Sequence, residues 1–213
     1  PATGTISNNI VSDNNRMGIR ILTQSTGSVT ATSSNNSILN NGSYGLVLAD
    51  EGGCCALASS YTASNNSIIG NGGGIAAGAN FHHQRSDLVT VSIENNLILN
   101  NSDVGIRIGL SNGLPTFQDR NGTGQCGVEE SNPLLHSFTV TDNTIVGNSE
   151  GAISSCYYSG GTYTSNKIHD NGAFETDYCY CSSRTAVVQI AAPFQTGQLT
   201  FPTTTSQEIL VIS

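Results

Sequence analysis

Few side chains in this 213-residue chain could do chemistry, and they are scattered. Hydrolysis of a glycosidic bond requires two carboxyl groups about 5 to 9.5 Å apart. Asp103, Asp142, Glu150, Asp170 and Glu175 are the candidates for such a pair. Asp142 falls in a column of asparagines described below, where a turn role competes with catalysis. Glu129-Glu130 reads as a solvated pair in a loop. His82 and His83 could ligate a metal together only from a loop, because neighbours on an extended strand face opposite ways. No third ligand accompanies them, and no Gly-Gly-x-Gly-x-Asp calcium run occurs, so no metal or other cofactor is expected. His136 and His169 stand alone, and no serine lies in a nucleophile motif. Tyr157, Tyr158, Tyr178 and Tyr180 cluster around cysteines, where the rings would stack on sugar faces or pack around disulfides.

Cys54, Cys55, Cys126, Cys156, Cys179 and Cys181 make an even set in a polar chain, which points to disulfides in an oxidising compartment. Zinc would call for paired CxxC units rather than the CC and CxC seen here. Asn35, Asn41, Asn65, Asn100 and Asn121 each begin an Asn-x-Ser/Thr sequon and are glycosylation candidates, in keeping with secretion. The expected location is extracellular or at the cell surface. Lys and Arg total 7 against 15 Asp and Glu, for a net charge of -8. That balance argues against nucleic acid as a partner and against an anionic membrane surface. No apolar run approaches the roughly 18 to 20 residues of a membrane-spanning helix. No basic-then-apolar leader opens the sequence, so a signal peptide is expected to have been removed or to lie outside it.

The elements that would hold these residues are written in an internal repeat. Six segments share Asn-x-Ile, then Asn or Asp three residues on, then usually Gly and an apolar residue. They centre on Ile10, Ile38, Ile68, Ile98, Ile145 and Ile168, at spacings of 28, 30, 30, 47 and 23. Apolar stretches last three to five residues and alternate, as in Gly105-Ile106-Arg107-Ile108, with Gly and Asn at turn density. These are short strands in a coil, one turn per repeat. Inward Ile, Leu and Val would stack on their counterparts, in parallel register about 4.8 Å apart. Asn would occupy left-handed corners and bond to the Asn one rung away, and Gly would supply positive φ before the next strand.

The recurring Asn-x-Ile-x-x-Asn…Gly-Ile unit resembles the repeat of right-handed parallel β-helix proteins, the pectin-lyase-like superfamily. The resemblance implies an all-β fold, a right-handed parallel β-helix of about six or more rungs with an inserted loop and an extended C-terminal strand. It spans a family that includes polysaccharide lyases, uronan epimerases, glycoside hydrolases, adhesins and surface proteins without catalysis. In lyases and epimerases a cation faces the substrate carboxylate while a base takes the C5 proton. The cations on or beside the repeats are Arg16, Arg20, Arg107 and Lys167. Arg20 and Arg107 fall at equivalent positions three rungs apart, roughly 14 Å, which is too far for one sugar carboxylate. The Asp-Asp pair of the family's galacturonan hydrolases is absent.

The expected organisation is a β-helix over residues 1–192 with a loop insertion at 110–136, then a linker and C-terminal β-strand over 193–213. Thr185–Ile190 reads as a strand. The apolar run Ile209, Leu210, Val211 and Ile212 is a candidate assembly strand, since the uncovered end of a coil is a template for strand pairing. Cys156 and Cys179 each lie 11 residues after a repeat isoleucine, so a 23-residue turn stacks them at disulfide distance. The functional expectation is a secreted, non-catalytic β-helix with a structural or adhesive role in an extracellular fibre, stalk or surface layer. Self-association through the terminal rung or C-terminal strand, and a polysaccharide, are the expected partners. A carbohydrate-active enzyme (lyase, epimerase or hydrolase) and a glycan-binding module are the alternatives.

Overall fold

A computed structural model describes residues 1–23, 28–50, 58–79, 89–108, 136–156, 159–172, 174–179 and 188–191. These form an all-β solenoid of six three-strand rungs, with one further strand stacked beyond the sixth, and all three sheets are parallel. Sheet A stacks β1 (Ala2–Ser7), β4 (Val29–Ser34), β7 (Ser59–Ser64), β10 (Val89–Glu94), β13 (His136–Thr141), β16 (Ser159–Thr164) and β19 (Val188–Ala191). Sheet B stacks β2 (Ile10–Ser12), β5 (Ser37–Leu39), β8 (Ser67–Ile69), β11 (Leu97–Leu99), β14 (Thr144–Val146) and β17 (Lys167–His169). Sheet C stacks β3 (Ile19–Thr23), β6 (Tyr44–Asp50), β9 (Gly73–Ala79), β12 (Val104–Ile108), β15 (Gly151–Cys156) and β18 (Phe174–Cys179). The insertion at 110–136 and the segment 193–213 lie outside the described residues, except that His136 opens β13.

Alternation within each strand builds the core. Sheet B contributes Ile38, Ile68, Ile98, Ile145 and Ile168, and sheet C contributes Leu46, Ile75, Ile106 and Ile153, all stacked in register. Sheet A fits large against small. Ala31, Tyr61, Val91 and Phe138 share one inward column, and a Cβ on Gly161, next in that column, would lie 2.6 Å from the ring of Tyr163. Interiors packed this densely tolerate little change of volume.

Two corners per rung carry the asparagines, and the structure divides between adjacent residues the two roles that the sequence assigned to one. At the corner between sheets A and B, Asn8, Asn35, Asn65, Asn95, Asp142 and Ser165 adopt φ of 54 to 59°. The next residues, Asn9, Asn36, Asn66, Asn96, Asn143 and Asn166, form the ladder. Each ladder Oδ1 accepts both the backbone N–H and the Nδ2–H of the asparagine one rung earlier; Asn36 reaches Asn66 at 3.1 and 3.0 Å, and Asn66 reaches Asn96 at 2.9 and 3.0 Å. A second ladder runs through Asn14, Asn41, Asn71, Asn101, Asn148 and Asn171 at the corner between sheets B and C. Paired this way, a polar group buried at every turn keeps its hydrogen bonds.

Two expectations are corrected. The first rung is shifted by one residue: Val11, not Ile10, pairs with Ile38, and Ile10 is 78% exposed. The true first spacing is therefore 27 residues, as the Asn9–Asn36 bond requires. The glycines before the sheet C isoleucines do not supply positive φ; among the described glycines only Gly70, Gly78 and Gly147 do so. Instead they admit the next rung. A Cβ on Gly45 would meet Ile68 Cγ2 at 2.7 Å and Asn71 Nδ2 at 3.0 Å, and a Cβ on Gly105 would meet Ile145 Cγ2 at 2.7 Å. In the fifth rung this column holds Ala152, because Gly151 pairs with Val104.

Candidate functional site

Among the described residues, the outer face of sheet C gathers the strongest cluster of ionisable groups. Residues 103 and 150 are neighbours on successive rungs, since Val104 pairs with Gly151. Asp103 accepts the Tyr44 hydroxyl at 2.8 Å and the Arg107 guanidinium at 2.9 Å, and its carboxyl is in hydrogen-bonding contact with that of Glu150. Tyr44 reaches Asp103 from two rungs away by lying over Gly73, where a Cβ would come within 2.5 Å of its ring. Burial pushes Asp103 up, but the bonds from Glu150 and Tyr44, the Arg107 charge and the Val104 N–H outweigh it and hold the carboxyl below its ordinary range. Glu150 is raised by its hydrogen bond to Asp103, by that neighbour's charge and by slight burial. Burial, more than the nearby charges, drives Tyr44 far above the usual phenol value. Asp103 is thus the carboxyl of the pair that keeps its charge more readily, and Glu150 the one that takes a proton more readily.

That arrangement is closed on itself. Two carboxyls in direct contact are closer than the about 5 Å that even a retaining glycosidase needs. Arg107, with 11% of its side chain exposed, is already paired with Asp103. Arg20 and Arg107 do share a column, through Val47 and Ala76, and stand three rungs apart as expected.

Among the described residues, no other pair of candidate carboxylates is brought together. Asp142 and Asp170 are exposed at left-handed corners, and Asp170 lies 2.8 Å from His169. Lys167 is exposed at the start of β17. No group of three His, Cys, Asp or Glu able to hold a metal occurs among the described residues. Asn35, Asn65 and Asn100 are exposed, as a glycan acceptor must be. Asn41 is not: it is buried and its amide is bonded to Asn71, which removes it from the glycosylation candidates. Cys156 and Cys179 are Cα partners on β15 and β18, the register that the 23-residue spacing predicts. Glu175 and Tyr178 lie on β18, but their side chains fall outside the described residues. So do Cys54, Cys55, His82, His83, Asn121, Cys126, Glu129, Glu130, Tyr157, Tyr158, Tyr180, Cys181 and the run Ile209, Leu210, Val211, Ile212.

A second face was missed from the sequence. On sheet A the residues between the inward ones form three outward columns. The central column reads Thr5, Thr32, Thr62, Ser92, Thr139 and Thr162. One flanking column reads Thr3, Thr30, Ser60, Thr90, Ser137 and Gly160; the other reads Ser7, Ser34, Ser64, Glu94, Thr141 and Thr164. Sixteen of these 18 positions are Ser or Thr. The one charge, Glu94, accepts a hydrogen bond from Ser92, and Thr141 bonds to Thr164 at 3.0 Å. The signal lay in Thr-x-Thr and Ser-x-Thr directly before each Asn pair, as in Thr30-Ala31-Thr32 and Ser60-Tyr61-Thr62. The outer face of sheet B is not uniform in this way: one of its columns runs Ser12, Leu39, Ile69, Leu99, Val146 and His169.

No protein-family model, no curated protein and no solved structure matches this chain.

Proposed function

We propose that this chain is a secreted, non-catalytic β-helix, right-handed and pectin-lyase-like in its winding, whose role is adhesive. It would act outside the cell, holding an extended solid or a neighbouring surface through the outer face of sheet A. The single observation behind this reading is the Ser/Thr grid of sheet A, six rungs long and three columns wide. Hydroxyls make weak individual contacts, because each bond gained replaces one to water. Contacts fixed on one stiff scaffold nevertheless add, since every contact after the first is intramolecular. A single small molecule could use only a corner of such a face, whereas a solid could use all of it.

The test is co-sedimentation of the purified chain with a panel of insoluble solids: ice, crystalline cellulose, chitin and mineral powders. Adhesion to at least one, reduced when Thr62 is replaced by a bulky residue, supports the reading. Failure to adhere to any of them overturns it.

The rival is a carbohydrate-active enzyme. The opposed pKa directions of Asp103 and Glu150 favour it, since such a split suits one carboxyl to act as acid and the other as base. Their direct contact and the pairing of Arg107 weigh against it. Release of soluble sugar from pectate, alginate or neutral plant glycans, abolished by Asp103→Asn, would establish the rival.

A further inference from the structure

We propose that the solid bound by the outer face of sheet A is ice, an assignment that rests on the adhesive reading above. The columns form a two-dimensional lattice. Successive rungs are about 4.8 Å apart, and alternate residues along a strand are about 6.6 Å apart. The register is continuous from β1 to β16, so neither repeat is interrupted by a bulge. The oxygens on the prism faces of ice repeat in two dimensions at separations of this order.

The hydroxyls themselves point to water. Thr5, Thr32, Thr62, Thr139 and Thr162 make no side-chain hydrogen bond to protein, although Thr32, Thr62 and Thr139 are half-buried. Each hydroxyl carries one donor and two acceptor sites, which water must satisfy. Threonine is stiff at χ1 because of its branched Cβ, so the methyls and hydroxyls of a column are held to few orientations. Water satisfying such a column repeats at the rung spacing. Immobilising an ordered water costs up to about 2 kcal/mol in solution. At an ice surface the freezing lattice has already immobilised it.

Other solids fit the face less well. A crystalline polysaccharide calls for flat aromatic partners to its sugar rings. The aromatics of sheet A, Tyr61, Phe138 and Tyr163, face the core and are 1%, 2% and 4% exposed. A charged mineral calls for charge, and this grid offers only Glu94, already held by Ser92.

The experiment measures thermal hysteresis and inhibition of ice recrystallisation by the purified full chain, with Thr62→Tyr and Thr32→Tyr as test variants. Lys167→Gln, on the exposed end of sheet B, is the control, and circular dichroism checks the fold of each. The wild type and the control should both shape and arrest ice crystals. Either folded tyrosine variant should lose about tenfold or more of that effect, because a protruding ring prevents simultaneous engagement of its neighbours. A wild type without effect on ice overturns the proposal, and so does a folded Thr62→Tyr chain with undiminished effect. Binding to crystalline cellulose or chitin in place of ice overturns the ice assignment but leaves the adhesive reading standing. Binding to no solid overturns both.

Discussion

Asn65 and Asn66 are adjacent and chemically identical, yet the structure assigns them opposite energetics. Asn65 is exposed with φ of 55°, and only its backbone conformation is demanding. Glycine adopts that conformation freely, so Asn65→Gly should change stability by no more than a few tenths of a kcal/mol. Asn66 is 1% exposed, and its side chain makes five hydrogen bonds. Its Oδ1 accepts from the backbone N and Nδ2 of Asn36 and from Ser33 Oγ, and its Nδ2 donates to Asn96 Oδ1 and to the Ser33 carbonyl. Asn66→Gly deprives the buried Asn36 N–H of its acceptor, a penalty of about 1 to 3 kcal/mol. It also leaves a void the size of a side chain, which adds a term of its own. We expect a total near 3 kcal/mol, centred on rungs two to four. Urea denaturation followed by circular dichroism gives the global value. Hydrogen exchange gives the local one, because a solenoid opens by rungs. Equal losses for the two glycine variants, or a larger loss at Asn65, would refute the division of roles between corner and ladder.

Gly105→Ala should destabilise the coil by about 1 to 3 kcal/mol in denaturant titration, because the new methyl meets Ile145 Cγ2 at 2.7 Å and overpacks a dense interior. Glu150 is raised above its ordinary 4.5, so its contribution is complete below that value and disappears as pH rises through the folded-state value. Asp103 is held below 3.8, so its contribution is present above that value and disappears as pH falls further. Glu150→Gln keeps a donor to Asp103 at every pH; its melting temperature should gain on the wild type between about pH 4.5 and neutrality, and a difference independent of pH would contradict the opposed shifts of the two carboxyls. Peptide mapping without reduction should recover a fragment joining Cys156 to Cys179, as their pairing on β15 and β18 implies; a fragment joining Cys156 to another cysteine would rule that bridge out.

The coil was legible because its determinants are local and repeated. Ile38, Ile68, Ile98, Ile145 and Ile168 are each bracketed by the same asparagines, and the structure stacks them as their spacing predicts. The first rung was misread because Asn8-Asn9-Ile10-Val11 offers two asparagines and two aliphatics. Only the hydrogen bond from Asn9 to Asn36 decides which of each faces inward. The Gly–Ile step was misread for a related reason. A glycine required for φ and one required for space look alike in sequence, and the difference lies in Ile68 Cγ2 and Asn71 Nδ2 on the next rung. The cluster on sheet C is half visible in sequence: Asp103, Glu150 and Arg107 are candidates by residue type, but Tyr44 joins them from 59 residues away across two rungs.

The sheet A grid is not legible in the sequence because Ser and Thr are common throughout the chain, and composition cannot separate hydroxyls that face out in register from hydroxyls in loops. Register separates them, and it also explains how the grid can exist. The ladders and the aliphatic columns fix each rung against the next from inside, so the outward positions of β4, β7, β10, β13 and β16 are not needed to hold the coil together. A surface residue outside any such contact changes stability by about 0.5 kcal/mol or less when substituted. Thr32, Thr62 and Thr139 make no hydrogen bond to the protein that would require a hydroxyl at those positions. A β-branched residue suits any strand, but Val or Ile would serve a fold as well as Thr does. Packing therefore accounts for the branching and the alternation, and it does not account for hydroxyls at 16 of 18 outward positions. What distinguishes Thr from Val on that face is its affinity for water. The outward hydroxyl grid is thus a property of sheet A that holding the coil together does not require, and binding to ice is the function we propose for it.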